Sequence, residues 1–322
     1  MKVYGLDFTS APVISSPSRV SDKLLMVAEC ELTGSVLLVE KFIPLTGDAN
    51  APFGKLEEFF AKQNEQWICG VDFPFGMPLG AIDYFGWCKN KEPANWEQYV
   101  KHIHKSHDTA DEFMVEVEQW MKFRLSGEAV RVFLFRYADR IASFGGSTAS
   151  SPMKINKQCN PPVGRMFFEG SKRLLDTSIS ILPVRPTDDL RILIEAYPRL
   201  VADKFINGGK YKDAKKSDDK LKITNNRKEV VEGLEKENPY GITIRFICDK
   251  DREKCLNDGK GDHLDSVLCA IQAGWSANQT THDGRSSYGI PEFSLNCLGQ
   301  QVALEGWILD PLTLAAVQCD SR

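Results

Sequence analysis

The sequence predicts an α/β fold: a mixed sheet with a β-β-β-α-β start, flanked by helices and interrupted by a mostly helical insertion. Three observations carry that reading. Two apolar runs, "YGLDFTS" at 4–10 and "WICGVDFPFGMP" at 67–78, deliver single carboxylates, Asp7 and Asp72, each after a Gly-x pair and before Phe. Between them, "LLMVAECEL" (24–32) and "SVLLVEKFIPL" (35–45) are rich in β-formers and are separated by Thr33-Gly34, the mark of a tight hairpin. In "GKLEEFFAKQ" (54–63), Leu56, Phe59 and Phe60 recur at helical spacing.

Taken in order, 3–8 reads as a buried strand, the next two runs as its hairpin partners, 54–63 as a crossover helix, and 67–73 as a fourth strand. Residues 85–145 change character: Trp96, Tyr99, Ile103 and "EFMVEVEQWMKFRL" are helical in pattern, and "FGGSTASSP" (144–152) is a Gly/Ser loop. "RILIEAYP" (191–198) returns to strand. Residues 203–228, dense in Lys and Asp, read as loop and helix ends, and "GITIRFICD" (241–249) as another strand. "DHLDSVLCAIQAGW" (262–275) is an amphipathic helix with Leu264, Val267, Leu268 and Ile271 on its apolar face, and "VALEGWIL" (302–309) reads as a last strand. The expected division is a core formed by 1–84 and 181–322, with 85–180 as the insertion.

The 322 residues, 42% hydrophobic and 26% charged, suffice for one domain with a large insertion or for two domains. A net charge of −4 excludes a uniformly basic nucleic-acid coat, while 40 Lys and Arg leave room for a local basic groove. Nine cysteines without a C-x-x-C read as reduced core thiols. There is no charged leader with an apolar core behind it, and no run approaches the roughly 18 apolar residues of a membrane span. A cytoplasmic protein without a membrane partner is expected.

The acids hold the chemistry. Asp7 and Asp72 end strands, and Glu195 sits near the end of a third. Asp262 and Asp265, three apart, share one face of the late helix, on the flank of its apolar stripe. Converging carboxylates suit Mg²⁺ or Mn²⁺, and two such ions activate water and stabilise a leaving oxygen in phosphodiester cleavage. Each acid also has a plain structural role open to it: a turn former at a strand end, an N-cap at Asp262, or, at Glu195, a hydrogen bond holding the turn that follows. Asp249 is a rival of lower rank. Pro74 and Pro78 stiffen "FPFGMP" and could hold a loop over the site.

"GLDFTS", "GVDFPFGMP", "EAYPR" and "DHLDSVLCAIQA" together resemble the signatures of an uncharacterised family of predicted ribonuclease H-like nucleases, distantly similar to Holliday-junction resolvases. The resemblance spans about 7–78 and 191–275 and is less clear over the helical middle. It implies a ribonuclease H-like fold and a divalent-metal-dependent nuclease. Asp7, Asp72 and Asp265 would be catalytic metal ligands, with Asp262 a fourth ligand or its neighbour, and Mg²⁺ or Mn²⁺ the cofactor. The superfamily often has Glu where Asp72 stands, which leaves the reach of Asp72 to a metal open.

Glu195 and His263 are possible accessory groups. Arg165, Lys172, Arg173, Lys215 and Lys216 are candidate contacts for a nucleic-acid partner, DNA or RNA, although the acids among them fit a solvated loop as well. His102, His104 and His107 in "KHIHKSH" lack zinc spacing and read as a solvated helix face. Two other classes stay open: a protein that keeps the fold but only binds, and an actin-like ATP-binding phosphotransferase in which "GLDFTS" is a phosphate loop. Gly145-Gly146 and Gly208-Gly209 lack Walker A or dinucleotide spacing, and there is no G-x-S-x-G.

Overall fold

The computed structural model describes residues 1–12, 24–48, 50–62, 66–88, 94–124, 135–143, 151–153, 163–213, 217–291 and 297–320. Strands β1 (Lys2–Asp7), β2 (Met26–Thr33) and β3 (Val36–Pro44) form an antiparallel meander. The β2–β3 turn is Gly34-Ser35, with Gly34 at φ 58°, where an L side chain is strained. Helix α1 (Gly54–Ala61) buries Leu56, Phe59 and Phe60 and carries the chain over to β4 (Trp67–Val71), which lies parallel to β1. This is the predicted β-β-β-α-β order.

The segment 85–180 is mostly helical where it is described. After α2 (Leu79–Phe85) come α3 (Trp96–Ser106), α4 (Ala110–Arg124), α5 (Tyr137–Ser143) and α6 (Val163–Leu175). Trp96, Tyr99, Phe113 and Phe167 are buried in the same core as Tyr4, Phe8 and Val71, so these helices share the core of the sheet. Three more strands follow: β5 (Ser180–Leu182), β6 (Arg191–Glu195) and β7 (Thr243–Phe246). Between β6 and β7 lie α7 (Pro198–Ile206) and α8 (Ser217–Leu234). After β7 come α9 (Asp249–Asn257), α10 (Asp262–Ala277), α11 (Cys297–Glu305) and α12 (Pro311–Asp320). The sheet order is β5-β6-β4-β1-β2-β3-β7, with β1, β4, β6 and β5 mutually parallel.

Two expectations are corrected. The Lys/Asp-rich stretch contains most of α8, whose apolar contacts are few and widely spaced: Ile223, Val230, Val231 and Leu234. In 302–309, residues 302–305 are the end of α11 and only Ile308 bridges the sheet, beside Glu195, because Gly306 at φ 82° ends α11 just before it.

Helix α10 lies directly on the sheet. A methyl group at Gly5 would stand 2.0 Å from the Ser266 carbonyl oxygen, and one at Gly70 would stand 2.3 Å from that of Cys269. Glycine on the two central strands therefore lets the helix backbone touch the strands. Side chains alternate along a strand, so Val3, Gly5 and Asp7 share the α10 face of β1, as Ile68, Gly70 and Asp72 share that of β4. Tyr4, Leu6, Cys69 and Val71 face the opposite core. The Gly-x-Asp spacing thus seats the helix and, two residues on, delivers a carboxylate beside it.

Candidate functional site

Asp7 and Asp72 stand at the carboxyl ends of adjacent parallel strands, held level by a 3.0 Å hydrogen bond from the Asp72 N–H to the Leu6 carbonyl. The carboxyl edge of parallel strands is where α/β proteins place their ligands. The first turn of α10 supplies Asp262 and Asp265 to the same place. Gly261 at φ 86°, not Asp262, is the residue that caps this helix, so Asp262 is released from that structural duty.

Among the described residues neither the Asp7 nor the Asp72 carboxylate accepts a side-chain hydrogen bond, yet the four acids act on one another. Burial, followed by the neighbouring negative charge of Asp265, holds Asp7 well above the ordinary carboxylate range. Burial and Asp265 likewise push Asp72 up to about 7, against the opposing pull of Lys212. Asp262 rises to about 6 through burial, with Asp258 and Asp265 nearby. Such mutual repulsion among buried and half-buried acids is a mark of functional sites.

Asp265 is buried and engaged at both oxygens. Its Oδ1 accepts a 2.7 Å hydrogen bond from the Tyr211 hydroxyl, and its Oδ2 forms an ion pair with the Lys212 ammonium. Both partners come from the 207–213 loop. That loop is pinned from three directions: Arg227 donates to the Tyr211 carbonyl at 2.8 Å, Asn226 to the Lys210 carbonyl at 2.7 Å, and the Asp213 N–H to the Gly259 carbonyl at 3.1 Å. Neither Tyr211 nor Lys212 stood out from the Lys-rich run. The available signal was "GGKYKD", a Gly-rich loop holding one aromatic that had to be buried.

The acids bring hard oxygen donors to one place, which fits the chemistry of Mg²⁺ or Mn²⁺. As they stand, no three Asp, Glu, His or Cys side chains among the described residues are close enough together to hold an ion. The cation within the cluster is Lys212.

Glu195, expected as an accessory acid, belongs elsewhere. It pairs in register with Val71, one residue short of Asp72, so it projects from the opposite face of the sheet. There it receives both Arg136 Nη atoms, at 2.6 and 2.8 Å, and the Phe75 N–H at 3.0 Å, while Asp139 holds the other flank of Arg136. It therefore fixes the "FPFGMP" segment rather than the turn at Tyr197. That segment is no lid: Phe73, Phe75 and Met77 are buried, and Trp96 Nε1 donates to the Phe75 carbonyl at 2.6 Å.

His263 turns to Asp258, with Nδ1 at 2.9 Å from its carboxylate, and packs edge-on against Phe42. Asp249 starts α9 instead of ending a strand. The "KHIHKSH" face is not fully solvated: His107 is buried and bonded to Glu116 and the Ile103 carbonyl. His104 meets Ser171, and burial together with Lys172 and Arg173 lowers its pKa to about 4.

Two of the five expected basic contacts are engaged within the protein. Arg165 pairs with Asp111. Arg173 pairs with Glu169 and Glu57 and covers the Phe53 ring. Lys172 is exposed, and Lys215 and Lys216 lie outside the described residues. Cys30, Cys69, Cys88, Cys248, Cys255 and Cys269 are free thiols. No described helix is long and apolar enough to cross a membrane. No family profile, curated protein or solved structure matches the chain.

Proposed function

We propose that the protein is a divalent-metal-dependent hydrolase of phosphodiester bonds, a nuclease of ribonuclease H-like fold, with its centre at Asp7, Asp72, Asp262 and Asp265. One observation carries this reading: four carboxylates from β1, β4 and α10 gather around one paired ammonium, Lys212, with Lys260 as the other described cation that acts on them, at Asp262. With every acid ionised, the four carboxylates outnumber the described cations that act on them, Lys212 and Lys260, which costs stability unless a further cation joins them.

The antiparallel meander, crossover helix and parallel β4 support the fold part of the reading. A bound Mg²⁺ or Mn²⁺ would supply an activated water and a Lewis acid for the phosphoryl oxygens. Asp7 and Asp72, whose carboxylates carry no other hydrogen bond among the described residues, are the groups free to hold it. Tyr211 fixes the orientation of Asp265. The ion pairs of Arg165 and Arg173 leave the nucleic-acid grip as the least supported part.

A second reading, a protein that keeps the fold and binds without catalysis, draws on the Lys212–Asp265 pair, which gives the cluster a resident counter-ion. The test is cleavage of labelled single-stranded and duplex DNA and RNA with Mn²⁺, by the wild type and Asp7→Asn. Cleavage lost with Asp7→Asn supports the hydrolase. Cleavage that survives the substitution refutes it, and binding without cleavage selects the second reading.

A further inference from the structure

The Lys212 side chain is seated differently from its own backbone. The loop that carries it is pinned by Arg227, Asn226 and the Gly259 carbonyl, and Tyr211 beside it is fully buried. The Lys212 side chain itself remains 39% exposed, while the Asp265 it meets is 1% exposed. It reaches Asp265 by running past Gly261, where a methyl group would stand 3.2 Å from the Lys212 Cβ and 3.3 Å from its Cδ. The side chain is therefore part-exposed to solvent while its ammonium ends on the buried Asp265 carboxylate. Tyr211 and Lys212 also divide the two oxygens of Asp265 between them, so among the described residues Lys212 is the partner that stands on Oδ2.

We propose that Lys212 is an internal competitor for the cation site. It neutralises Asp265 while the centre is empty of metal, and a divalent cation must displace its ammonium from Oδ2 to bind. This rests on the metal-centre reading above and adds to it a built-in threshold of metal concentration. Two positive groups cannot share one carboxylate oxygen at contact distance without strong repulsion. Tyr211, which is neutral and bound to the other oxygen, keeps Asp265 oriented as the lysine leaves.

The experiment is a Mn²⁺ titration followed by electron paramagnetic resonance of the free ion, on the wild type, Lys212→Met, Lys212→Arg and Asp72→Asn. Removing the competitor is expected to tighten Mn²⁺ binding by about ten-fold or more in Lys212→Met. Lys212→Arg keeps a competing charge and stays within a few-fold of the wild type. Without metal, Lys212→Met melts at a lower temperature, and Mn²⁺ restores it. Should that variant not fold without metal, the same titration on Lys212→Gln carries the test.

Mn²⁺ affinity that is unchanged or weaker on losing the lysine, while Asp72→Asn abolishes binding, overturns the competitor role and leaves the metal centre standing. Binding that appears only when the lysine is removed supports the competitor directly. No binding by either the wild type or the lysine variants overturns both readings.

Discussion

Replacing Asp72 with Asn is expected to stabilise the protein, and to do so more at high pH than at low. Asp72 is raised from 3.8 to about 7, chiefly by burial. A carboxyl whose folded-state pKa is raised binds its proton more tightly in the folded chain than in the unfolded one. Its favourable contribution is complete below about pH 3.8 and is lost as pH rises through about 7. Asparagine resembles the protonated acid at every pH, so its advantage grows across that window and levels off above it. A displacement of about three units sets an upper bound of ~4 kcal/mol. Solvent reaches part of the cleft, and the protein relaxes around a buried charge, so about 1–2 kcal/mol is the expected gain at pH 8. For a chain of this size that is a melting temperature higher by roughly 1.5–3 °C. The assay is thermal and urea unfolding of both proteins from pH 5 to 8.5 with a chelator present. Excess Mn²⁺ should narrow the gap, because it binds the folded wild type. A variant that is less stable at pH 8, or a difference flat with pH, refutes the burial-raised carboxyl at Asp72.

Other outcomes follow from the same structure. Glu195→Gln removes one of the two buried carboxylates that hold Arg136, leaving Asp139, and should cost about 1–3 kcal/mol in urea unfolding; Mn²⁺ affinity of the folded fraction should hold, since Glu195 faces the opposite side of the sheet from Asp72. Gly70→Ala drives a methyl group into the Cys269 carbonyl and should lower stability by about 3 kcal/mol or more, weakening Mn²⁺ binding at the same time as α10 is forced off the strands. Tyr211→Phe removes one donor from buried Asp265 and should cost about 1–3 kcal/mol, read by urea unfolding.

What the sequence alone determined is local. Two apolar runs each ending in Gly-x-Asp-Phe, a hairpin break and a helix of correct period are properties of short segments, and they gave the β-β-β-α-β start, the late amphipathic helix and the acids Asp7, Asp72, Asp262 and Asp265. Glu195 escaped the same reasoning because its role depends on pairing register. One residue of offset against β4 sends it to the opposite face, where Arg136 waits some sixty positions away in the chain. Tyr211 and Lys212 escaped because a loop in a charged stretch has no periodicity to read. Only the packing of α7, α8 and α10 fixes which of many lysines meets Asp265. Periodicity reports which side of an element is buried; long-range contact decides what the buried group meets there, and at this centre that choice separates a row of acids from a cluster with a resident cation.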